Sequence, residues 1–177
     1  MEFGITRLHF YFILFLKIII LIPDILILSQ AAAENYRSDV PWACISITDK
    51  IQKDADIDEH NRVDILRLEF FDLDPSNNIT KWLDELNSTE DDLFTDWRAE
   101  LVLEFVKSNI NRIEELVIHC HAGVCRSAGI GAALLKIYTG DDSIVFESNR
   151  FQPNMLVYRL LLNKAIDLGM YNPHETP

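Results

Sequence analysis

The chain has 177 residues, 49% of them hydrophobic and 25% charged, with a formal net charge of −12. Those proportions describe one folded domain rather than a disordered chain, and so acidic a surface argues against general binding to nucleic acid or anionic membranes. Three cysteines without regular spacing, Cys44, Cys120 and Cys125, do not make a secreted disulfide scaffold, so a reducing, cytoplasmic compartment is expected.

From Leu8 to Ile22 the chain is almost wholly apolar, interrupted by His9 and Lys17, and Pro23-Asp24 ends the run. A membrane-spanning helix needs roughly 20 apolar residues, more than this run supplies. A signal-peptide core needs only about 7–15, and "SQAAAE" at Ser29–Glu34 offers small residues for cleavage. Cleavage there would discard "ILIL" at Ile25–Leu28, which reads as a core strand. Residues 1–24 are therefore a hydrophobic extension with several open readings: an anchor, a signal, an added element or a start assigned too far upstream. Any membrane association would run through residues 8–22. Residues 25–170 form the domain and 171–177 a C-terminal tail.

Four short β-rich runs follow: Ile25–Leu28, Ala43–Ile47, Val63–Phe71 and Glu115–Cys120. Helical patterns separate them, which predicts an α/β fold: a mostly parallel sheet of four to five strands flanked by helices. "SQAAAENY" is a short helix capped by Ser29. "DWRAELVLEFVKSNI" places Trp97, Leu101, Phe105 and Ile110 near helical spacing. "RSAGIGAALLKIY" runs to a glycine stop at Gly140. "PNMLVYRLLLNKAIDLG" starts at Pro153-Asn154, where Asn154 can cap, and closes at Gly169. Asp72–Asn78 is dense in turn formers, Glu85–Asp92 reads as a solvated acidic connection, and Trp82 and Trp97 read as core or lid packing.

The chemistry is concentrated in "HCHAGVCRSAG", His119–Gly129, between the last strand and the next helix. A glycine-bearing loop at that junction turns successive N–H groups inward at the positive end of a helix, which makes a phosphate-binding cradle. Cys120 opens the loop and Arg126 closes it after five residues, with Ser127 next. Arg126 can fork two donors onto a phosphoryl group while the amides of His121, Ala122, Gly123, Val124 and Cys125 take the remaining oxygens. A free cysteine is only a few per cent thiolate at neutral pH. Lowering its pKa by about three units takes roughly 4 kcal/mol, more than a helix dipole supplies at about 0.3–1 kcal/mol. Several N–H bonds at about 1.5–3 kcal/mol each close that gap. The cradle thus makes the nucleophile as well as holding the substrate, and Ser127 is placed to donate to the sulfur.

A zinc site from His119, Cys120, His121 and Cys125 fits poorly, because adjacent strand residues point to opposite faces. His119 reads as structural, His121 as exposed loop, Cys44 as inert core. Asp49 and Glu69 read as turn and solvent residues.

"HCHAGVCRSAG" resembles the H-C-x-x-G-x-x-R-S signature of the cysteine-dependent protein tyrosine and dual-specificity phosphatases. "RFQPN" with "LVYRLL" is similar to the Pro-Asn helix start of dual-specificity domains. "ILILSQAAAENY", "PWACISITD" and "ILRLEFFDLD" look like strands of small bacterial and phage predicted tyrosine phosphatases. The resemblance covers roughly Ile25 to Gly169. It implies a phosphocysteine intermediate, no cofactor or metal, a phosphorylated protein or small phosphomonoester as partner, and an aspartate upstream as general acid. Asp72 is the preferred acid and Asp74 the alternative; both lie farther from Cys120 than is usual in that family, a distance an inserted helix near Trp82 would absorb. Cys125 stands where the low-molecular-weight phosphatases carry a second cysteine, which implies a reversible disulfide with Cys120. A phosphate-binding module without turnover, a sulfurtransferase and an arsenate reductase are the competing expectations.

Overall fold

The computed structural model describes residues 22–74 and 88–174. The N-terminal run up to residue 21 and Trp82 lie outside the described residues, as do the segment 75–87 and the last three residues.

Each apolar run becomes a strand: β1 Asp24–Ser29, β2 Trp42–Thr48, β3 Arg62–Glu69 and β4 Glu115–Cys120. All three pairings are parallel and the order is β1-β4-β2-β3. β4 has a neighbour on each side and is buried from Leu116 to Cys120, which is why "LVIHC" is apolar without strict alternation. The third run was expected to reach Phe71, but β3 ends at Glu69. Phe70 donates its N–H to the Thr48 carbonyl (3.1 Å), and Phe71 donates to the Asp92 carbonyl (2.8 Å), so the chain turns away from the sheet there.

Among the described residues five helices accompany the strands: α1 Gln30–Glu34, α2 Asp96–Asn109, α3 Arg126–Thr139, α4 Ser143–Phe146 and α5 Met155–Asp167. Ser29 caps α1 by accepting from Ala32 N–H at 3.2 Å, Gly140 ends α3 in the left-handed region at φ 76°, and Asn154 caps α5. One sheet face carries Ala43, Ile45, Ile47, Leu116 and Ile118 against α2, α3 and α5. The other carries Trp42, Cys44 and Val117 beneath Ala33 of α1 and Ala55 and Ile57 of the β2–β3 connection.

Two further expectations are corrected. Trp97 and Leu101 do not pack inward: they are 53% and 38% exposed, while α2 buries Ala99, Val102, Leu103 and Val106. The inward stripe is set by what meets β3 and α5, and Trp97 instead lies beneath the Arg98 guanidinium, 4.4 Å from the ring centroid. The described end of the acidic connection is not solvated throughout. Glu90–Asp92 forms a 3-10 turn in which buried Asp92 accepts the Thr89 N–H at 3.0 Å and pairs with Lys50. The Lys50 contact, with the Thr89 bond, holds its carboxyl below the usual range. Among the described residues no helix is long and apolar enough to cross a membrane.

Candidate active site

Because all four strands are parallel, their C-terminal ends lie along one edge of the sheet, where open α/β sheets bind ligands. That edge gathers Ser29, Asp49, the residues after Glu69, and Cys120. Cys120 is 2% exposed and faces the α3 side of the sheet. The loop after it bends sharply at Gly123, whose φ is +72°. A Cβ there would stand 2.5 Å from the Ser29 nitrogen and 2.6 Å from the Leu28 carbonyl, so only glycine fits. The bend brings the Gly123 N–H to 3.3 Å from Cys120 Sγ, and Ser127 Oγ lies 3.2 Å from the same atom. Burial pushes the Cys120 thiol up. The Ser127 hydroxyl and amide, the Arg126 charge and the Gly123 amide together outweigh it, and the net shift is downward.

Arg126, the first residue of α3, is buried. Its Nη1 donates to Asp49 Oδ1 at 2.6 Å and to the Phe70 carbonyl at 2.9 Å. Its Nε is buried without a hydrogen-bond partner and lies 4.0 Å from Asp72 Oδ2. One edge of the guanidinium is thus clamped while Nε still has a bond to make. Asp49, read from the sequence as a turn residue, was missed. The available signal was topological: it is the first residue after β2, and so falls on the same edge as Cys120.

Asp72 accepts from Asn154 Nδ2 at 2.8 Å and is about one-third exposed. Asp74 turns to Arg159 on α5 at 3.2 Å. The structure therefore brings Asp72, and not Asp74, beside Arg126. His121 and Ala122 are exposed on the rim; Val124 and Cys125 are half-buried. The Val124 and Cys125 carbonyls accept from the N–H groups of Gln152 and Asn154, each at 3.0 Å, which ties the loop to the start of α5. Burial and the Asp72 charge beside it push the Cys125 thiol up to about 11.

No family model matches the chain, and no curated protein sequence matches it. Among solved structures it is similar to Tk-PTP in the active form, at TM-score 0.50 and 15% identity over 81% of this chain and 94% of that one. It is also similar to human DUSP28, at TM-score 0.48 and 18% identity over 84% of this chain and 96% of that one. The chain has a tyrosine-phosphatase-like fold, the one it shares with Tk-PTP.

His119 is wholly buried on the sheet face opposite Cys120, its Nε2 2.9 Å from Ser46 Oγ. Burial pushes its pKa down to about 4, so it is neutral at neutral pH. Cys44 is buried in β2 with its thiol pushed up to about 12 by burial.

Proposed function

We propose that this chain hydrolyses phosphomonoesters through a phosphocysteine intermediate, with protein phosphotyrosine as its substrate class. The observation that carries the reading is the environment of one atom: Cys120 Sγ receives the Gly123 N–H at 3.3 Å and lies 3.2 Å from Ser127 Oγ. An arginine clamped on one edge stands beside it, its Nε still in need of an acceptor. Such a ring holds a thiolate and supplies donors to the equatorial oxygens of a phosphoryl group as charge develops on them.

In the first step Cys120 S⁻ attacks phosphorus and the P–O bond to the leaving group breaks. The carboxylic acid of Asp72 gives its proton to that oxygen. In the second step water attacks the phosphocysteine, the Asp72 carboxylate takes the water's proton, and the P–S bond breaks to release phosphate and thiolate. Ser127 donates to the sulfur as it leaves. Asp72 is favoured over Asp74 by its place beside Arg126. A phosphotyrosine preference is supported by the loop "HAGVC", which has no lysine to hold a polyanion, and by the net charge of −12. A reducing, cytoplasmic compartment suits a reactive thiol, and under peroxide Cys125 would condense with the Cys120 sulfenic acid to a disulfide, releasing water. An intramolecular Cys120–Cys125 peptide in digests of the oxidised wild type, missing in Cys125→Ser, checks that step.

The test is a rapid-mix assay with a synthetic aryl phosphate. A burst of aryl product close to one per active site is expected, followed by slower turnover, both lost in Cys120→Ser. Binding of the ester without any burst would replace the hydrolase with a phosphate-binding module.

A further inference from the structure

Asn154 touches both halves of the site. Its main-chain N–H donates to the Cys125 carbonyl at 3.0 Å, and its main-chain oxygen packs so closely on α3 that a Cβ at Gly129 would stand 2.8 Å from it. Its side chain is more finely engaged. Oδ1 accepts from the N–H groups of Leu156 (3.0 Å) and Val157 (3.1 Å), and Nδ2 donates to Asp72 Oδ1 at 2.8 Å. The amide orientation follows from chemistry alone, since two helix N–H groups demand an oxygen and leave the NH₂ to face the carboxylate. The residue is 8% exposed, so little water competes for these bonds.

A helix cap needs only the oxygen; serine and aspartate cap as well as asparagine does. What asparagine adds is the N–H aimed at Asp72. We infer that Asn154 is a positioning residue that sets the register of Asp72 against the nucleophile loop. The inference rests on the reading of Asp72 as the general acid. Its main chain is bonded to the loop and its side chain to the acid, so one rigid residue spans the distance between them. The bond also occupies Oδ1. The other carboxylate oxygen, Oδ2, lies 4.0 Å from Arg126 Nε.

The experiment uses Asn154→Asp and Asn154→Ser in the full chain, both of which keep a capping oxygen and remove the amide N–H. Each is assayed on phenyl phosphate, whose leaving group needs a proton, and on 2,4-dinitrophenyl phosphate, whose leaving group departs without one. Loss of a positioned general acid is expected to lower kcat/KM on phenyl phosphate, which reports the formation of the phosphocysteine, by about tenfold or more. For the dinitrophenyl ester kcat/KM should stay within about twofold, with thermal melting close to wild type, and Asp72→Asn should show the same selectivity between esters. An equal fall in kcat/KM on both esters, or no fall on either, would overturn the inference. Phenyl phosphate turnover that survives Cys120→Ser would instead overturn the phosphatase reading on which it stands, so the two failures are told apart.

Discussion

Of the groups around Cys120 Sγ, the Ser127 hydroxyl is the one that can be removed while the backbone cradle stays in place. It lies 3.2 Å from the sulfur, and after burial it heads the influences on that thiol, acting to lower its pKa. Ser127→Ala should therefore move the thiol toward its ordinary value. The pH at which iodoacetamide alkylates Cys120 half-maximally is expected to rise, with a slower rate near pH 6 and little change above pH 9. An unshifted alkylation profile would mean that the amides and Arg126 suffice alone. Asp49 acts on the other partner. It holds Arg126 Nη1 at 2.6 Å where the two side chains are 19% and 5% exposed. A hydrogen bond to a charged group is worth about 1.5–3 kcal/mol, and losing one side leaves the other unpaired. Asp49→Ala should cost about that much in urea denaturation and raise KM for an aryl phosphate, because the guanidinium loses the edge that aims its Nε.

Strands, caps and stops were legible in the sequence because their signals are local. The apolar runs around Ile45 and Val117, the Ser29 and Asn154 caps and the Gly140 stop each declare themselves within a few residues. The inward face of α2 was not, because a helix with apolar residues on two sides is resolved only by its neighbours. Trp97 at 53% exposed and Val102 at 0% show which side won. Cys120, Arg126 and Ser127 could be read from spacing along one loop. The Asp49 clamp on Arg126 could not, since the two residues come together only when β2 and β4 pair. The nucleophile loop also depends on β1, a strand distant in sequence. Its Gly123 sits at φ +72° with Leu28 and Ser29 backbone atoms within 2.6 Å of where a Cβ would be. Those atoms belong to a strand and its helix cap and cannot retreat. Gly123→Ala is expected to displace the loop rather than β1. It should abolish the burst with an aryl phosphate while far-ultraviolet circular dichroism stays that of the wild type, at a cost of about 1–3 kcal/mol for forcing both space and backbone. Activity retained by that variant would show that the loop tolerates another path.

At the scale of the whole molecule, a wholly buried imidazole beneath the site couples the fold to acid. His119 lies at the heart of the central strand, wholly buried, on the face that holds Ser46 and Trp42. Burial depresses its pKa from 6.5 to about 4, with nearby Arg67 and Arg126 acting in the same direction. In the unfolded chain the imidazole takes its proton near the ordinary value. Between pH 6.5 and pH 4 the unfolded state therefore binds a proton that the native state refuses, and stability falls as pH falls through that window. Above it neither state is charged and below it both are, so the loss is confined there. A shift of that size corresponds to roughly 3 kcal/mol, a large share of the 5–15 kcal/mol by which a domain of this kind stands. Urea denaturation at pH 7 and at pH 4.5 should show the wild type losing about 2–3 kcal/mol more than His119→Gln, which carries an amide that does not titrate. Comparing each protein with itself at the two pH values removes any packing cost of the substitution. Equal losses in the two proteins would place the acid sensitivity elsewhere, in groups such as Asp92 beside Lys50, and would mean that β4 can admit a charged imidazole without opening.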